Sequence, residues 1–85
     1  MNPEQITSFV RTVLIGLEGR LRVEDLKEGW GLNEAGEPGV ALELVCTQAY
    51  EYDVVVPHTV MEQTVEAGEA MHLDPGLWKD LAVEP

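Results

Sequence analysis

The chain has 85 residues, 45% of them hydrophobic, which is enough for one domain with a single core over 1–85 and leaves no room for a second. Sixteen acidic side chains against five Lys and Arg give a net charge of -11, which disfavours direct contact with nucleic acid or with an anionic membrane. The lone cysteine, Cys46, excludes an internal disulfide and a thiolate metal cluster.

The N-terminal run MNPEQITSFV has no basic leader-like region, and the longest apolar stretch, VLIGL at 13–17, is far too short to cross a bilayer. The expectation is a cytoplasmic protein. Asn2 and Pro3 read as N-cap and first helical position, with Gln5 placed to close a capping box. Ile6, Phe9, Val10, Val13, Leu14 and Leu17 then recur at three- and four-residue spacing, which predicts an amphipathic helix over 3–18. Gly19 is its expected left-handed terminator, and Ile15 falls on the polar side.

Beyond Gly19 the pattern reads as alternation. Leu21 and Val23 share one parity and Leu26, Trp30 and Leu32 the other, which a bulge near Asp25 reconciles into a strand with Trp30 facing the core. Asn33, Gly36, Pro38 and Gly39 make NEAGEPG a long hairpin loop. Val40, Leu42, Leu44 and Cys46 alternate with Ala41, Glu43, Val45 and Thr47 in a second strand. Tyr50, Tyr52, Val54 and Val56 form a third, unless 40–56 is one bent strand.

Thr59 and Glu62 supply a second capping box, and Val60, Met61, Thr64, Val65, Gly68, Met71 and His72 line one side of a helix that Gly68 weakens. Asp74, Pro75 and Gly76 open a short terminal helix with Leu77, Trp78 and Leu81 inward. The expected fold is therefore α+β: an N-terminal helix, a three-stranded antiparallel meander, a C-terminal helix and a short terminal helix, with the helices on one sheet face.

Chemistry-bearing groups are sparse. Ser8 lies within the first helix and Cys46 in mid-strand, neither with a histidine nearby in sequence to activate it, so no enzyme is expected. Cys46 is expected to be a buried, inert thiol. His58 and His72 are separated by a helix that holds them about 20 Å apart, which prevents shared metal ligation. The Gly36 loop lacks the spacing of a calcium-binding loop. No metal and no cofactor is expected.

Charge layout is the better lead. From Glu28 to Trp78 there is no Lys or Arg but there are ten carboxylates, whereas Arg20, Arg22 and Lys27 cluster just before that span. Glu62, Glu66 and Glu69 follow at i, i+4 and i+7 on one helical strip, where like charges cost a few tenths of a kcal/mol, about 0.2 to 0.5 per pair. Glu43, Glu51 and Asp53 stud the sheet face that carries Val45 and Val55. These eight residues form the expected binding surface, steering a basic protein partner by charge and docking it through Val45, Val55 and the tyrosines.

The expected function is a non-enzymatic protein-binding module. It would be an acidic inhibitor, immunity-type or accessory protein, whose carboxylates in the strongest version imitate phosphates toward a nucleic-acid-binding partner. The alternative is a structural or assembly subunit of a larger particle or homo-oligomer, suggested by Ile15 and by a sheet with apolar residues on both faces.

Overall fold

A computed structural model describes all residues from Met1 to Pro85. Four helices dominate it: α1 Pro3–Gly16, α2 Val23–Glu34, α3 Pro38–Glu51 and α4 His58–Ala70. A 3-10 turn follows at Pro75–Leu77, and two-residue strands β1 Val55–Val56 and β2 Ala82–Val83 pair in parallel, Val55 with Ala82 and Val56 with Val83.

The antiparallel meander is therefore absent, and its first two strands are α2 and α3. In α2 the inward residues are Asp25, Leu26, Gly29 and Asn33; in α3 they are Ala41, Leu42, Val45, Cys46 and Ala49. Both sets repeat every three or four residues, the period of a helix. The run ALELVC satisfies both periods over six residues, and only its continuation to Ala49 separates them. Pro38 starts α3 with a preset φ, and Ala, Leu, Glu and Gln favour its interior. The bulge expected near Asp25 is absent because Asp25 lies within α2, and Gly29 of the same helix is a contact point where a Cβ would lie 2.9 Å from Leu14 Cδ2 and 3.2 Å from Val45 Cγ1. Its missing side chain lets α2 sit closely against α1 and α3.

The expected hairpin loop is a helix terminator. Gly36 adopts φ 84°, the Gly36 N–H donates to Asn33 O, and the Glu37 N–H donates to Leu32 O, which together make a Schellman motif. Asp53 (φ 52°) ends α3 in the same way, with Asp53 N–H to Tyr50 O and Val54 N–H to Ala49 O. His72 (φ 58°) ends α4 through His72 N–H to Glu69 O and Leu73 N–H to Gly68 O. Three helices thus stop by one device, and only one of them uses glycine.

The first helix is as expected. Asn2 and Gln5 exchange both capping-box hydrogen bonds, at 2.8 and 2.9 Å, and Val10, Val13, Leu14 and Leu17 are buried while Ile15 is half exposed. It ends at Gly16, and Gly19 (φ 78°) lies in the turn beyond it. The capping box at Thr59 does not form, since the N-cap of α4 is Pro57, two residues earlier, with no side-chain cap. Gly68 does not end α4. Asp74 caps the 3-10 turn, its carboxylate accepting from the Gly76 N–H at 2.9 Å, and Trp78 is buried.

One continuous core of 15 residues runs through the molecule, from Val10 and Leu14 across Leu42 and Val45 to Val60 and Ala67. α2 packs mainly on α3, α1 mainly on α4, and α1 also touches α2 and α3. No helix is long and apolar enough to cross a membrane.

Candidate protein-binding surface

α4 buries Val60, Thr64, Ala67 and Gly68 against α1 and Trp78. The Thr64 hydroxyl is satisfied within the helix, donating to Val60 O at 2.8 Å. The opposite side is thereby turned to solvent. Glu62, Glu66 and Glu69 stand there in a single strip, all exposed, and border a shallow depression with the half-buried Met61 and Val65. His58 Nε2 lies 2.8 Å from Glu62 Oε1 at the head of the strip.

No cation from the basic cluster reaches these acids. Arg20 is held by Glu84 Oε2 and Val55 O, each at 3.0 Å. Arg22 lies 3.3 Å from Glu24 and 2.9 Å from Asp25. All ten carboxylates from Glu28 to Asp74 are exposed, and none of them is paired with Lys or Arg. His58 is the only basic group on the strip.

The expected sheet half of the surface is rearranged. Val45 is 1% exposed and belongs to the core, because on a helix it shares its face with Leu42 and Ala49 and not with Glu43. It therefore drops out as a docking contact. Glu43 and Glu51 project from α3, Asp53 terminates that helix, and Val55 is 44% exposed in β1. Glu62, Glu66 and Glu69 are brought together; Glu51 lines a different depression, with Asp80, and Glu43 and Asp53 line neither. α3 and α4 touch only slightly, and no α3 carboxylate borders the depression on α4.

One polar network lies outside the sequence reading. Asp25 is 4% exposed, accepts from Arg22 Nε at 2.9 Å, and receives Gln48 Nε2 at 3.2 Å on both carboxylate oxygens. The Arg22 guanidinium sits 4.4 Å from the centroid of Tyr52. The hydrogen bond from Arg22 lowers the Asp25 pKa against the opposing effect of burial, with Gln48 adding to the lowering, and the same bond raises Arg22. The network ties the first turn of α2 to the last turns of α3. Arg22 and Asp25 are three apart in sequence, a pairing that sequence can suggest, but Gln48 arrives only through the fold.

Cys46 is buried, and desolvation pushes its thiol up to about 12. His58 and His72 stand at opposite ends of α4, and nowhere do three His, Cys, Asp or Glu side chains converge as a metal site would need. Compared with known proteins, the chain matches no protein-family model, no curated protein and no solved structure.

Proposed function

We propose that this chain is a non-enzymatic, cytoplasmic protein-binding module that presents the α4 strip of Glu62, Glu66 and Glu69 to Lys and Arg side chains of a basic partner. The observation that carries the reading is an unbroken row of three exposed carboxylates, beside Met61 and Val65, with no Lys or Arg in ion-pair reach. A net charge of -11 steers a cationic protein toward the molecule, and the apolar side chains beneath the strip add short-range contact once it arrives. An inhibitor or accessory protein that blocks a phosphate-binding surface fits this chemistry, with the carboxylates standing where phosphates would.

The test is a pair of affinity columns, one carrying the wild-type chain and one carrying Glu62→Lys/Glu66→Lys, loaded with host extract and eluted by a salt gradient. Proteins retained by the first column alone and released by moderate salt are the expected result, with circular dichroism showing both chains equally helical. Identical retention on the two columns, or release independent of salt, would exclude the α4 strip as the interface. A salt-resistant oligomer of the chain itself would favour the assembly-subunit reading instead.

A further inference from the structure

A second depression lies away from the α4 strip. It is a cleft of about 260 Å³ between α3 and the segment that follows the 3-10 turn. Cys46, 3% exposed, forms its deep end, and the half-buried Leu77 and Leu81 form apolar walls. Exposed Tyr50, Glu51 and Asp80 stand around its mouth. The two carboxylates come from different elements, and neither is paired with a cation anywhere in the molecule. The Cys46 thiol is free and desolvation keeps it protonated, so the deep end is neutral while the rim is anionic.

The geometry points to a binding site for an alkyl cation, in which an aliphatic stem lies along Leu77 and Leu81 and an ammonium or guanidinium group is held at the rim by Glu51 and Asp80. An apolar cavity of about 150 Å³ already accommodates benzene, so this volume holds a chain of several methylenes with its charged end. Amphipathic cations bind in this manner, with the stem on apolar surface and the head in a polar, partly hydrated place. Tyr50 lines the same cleft. An anionic ligand is repelled by both carboxylates, and a purely apolar one leaves them without a partner. The same chemistry is offered by a small free alkylguanidine and by a Lys or Arg side chain of a protein. The site stands independently of the α4 strip, sharing no residue with it.

The experiment is an NMR titration of the whole chain with butylguanidinium, with butanol and butanoate as stem-only and reversed-charge probes, at fixed ionic strength. Saturable shifts are expected with the guanidinium alone, confined to Thr47, Tyr50, Gly76, Leu77 and Leu81. The exposed-site double variant Glu51→Gln/Asp80→Asn should weaken binding by about tenfold or more, whereas Glu28→Gln/Glu34→Gln, which removes the same total charge from exposed positions of α2 outside both depressions, should leave it unchanged. A capped Gly-Arg-Gly peptide forms the second arm: tighter binding than butylguanidinium assigns the site to protein side chains, and equal or weaker binding assigns it to a free small cation. Shifts that fail to saturate, that follow every carboxylate alike, or that weaken equally in both double variants overturn the site and leave the α4 interface untouched.

Discussion

Gly68 of α4 lies directly beneath the indole of Trp78, so close that a Cβ at position 68 would overlap the six-membered ring. The missing side chain lets the terminal segment close over α4, and Trp78 is 7% exposed as a result. Two effects oppose each other in Gly68→Ala. Helix propensity favours Ala by about 1 kcal/mol, while forcing an atom into packed space costs about 1 to 3 kcal/mol. The contact is with a rigid ring, so the steric effect wins. Urea denaturation should show a net loss of about 1 kcal/mol or more at unchanged slope, and a stabilised variant would refute the packing account.

His72 stops α4 with φ 58°, a conformation that costs a residue bearing a Cβ about 1 to 2 kcal/mol. Glycine relieves that strain but gives the unfolded chain more freedom, so His72→Gly should stabilise by a smaller amount, about 0.5 kcal/mol. His72→Val, with its branched Cβ, should move thermal stability the other way.

Asp25 gives the fold an acid sensitivity. Its carboxyl is held below the ordinary value of 3.8 in the folded state, chiefly by Arg22. A depressed folded pKa means that the contribution is complete above the unfolded value and disappears as pH falls through the folded one. Asp25→Asn should therefore destabilise at neutral pH by about 1 to 2 kcal/mol, from the lost charged hydrogen bonds. The gap to wild type should narrow below about pH 4, where the unfolded carboxyl begins to bind its proton. Urea midpoints for both chains from pH 7 down to pH 2 test this; a constant gap would contradict it.

Cys46 should be nearly silent toward alkylating reagents in the native chain. With its thiol pushed up to about 12, the thiolate fraction near pH 8 is roughly a thousandfold below that of an exposed cysteine. Labelling with iodoacetamide followed by mass spectrometry should be slow in buffer and become rapid above the urea midpoint.

On α4, Glu66→Lys converts a like-charge pair with Glu62 at i, i+4 into a Glu-to-Lys pair in the favourable order. Stability should rise by about 0.3 to 0.5 kcal/mol at low salt, and the gain should shrink as salt is added. The same substitution is expected to weaken partner binding, which separates the role of the strip in recognition from its cost to the fold.

Local signals carried the ends of the chain. The Asn2–Gln5 box, the stripe from Ile6 to Leu17, the left-handed Gly19 and the Asp74 cap are all satisfied by residues within a few positions of one another. The Glu62, Glu66 and Glu69 strip was legible for the same reason, since i, i+4 and i+7 lie on one face of any helix. The middle was not. Glycines at 29 and 31 and β-branched residues at 40, 45 and 54–56 imitate strand and turn chemistry. What made Gly29 a helix residue was the approach of Leu14 and Val45 from two other helices.

The sequence by itself determined the charge, its uneven placement, the capped first helix and the Asp74-capped turn near the end, because these depend on composition and on neighbours a turn apart. Tertiary packing decided that residues 23–51 are two helices, that Val45 is core, that Asp25 meets Gln48, and that Glu51 shares a cleft with Asp80. A short apolar run fits either period until another element buries one of its faces, and contacts between distant residues are set by how those faces meet.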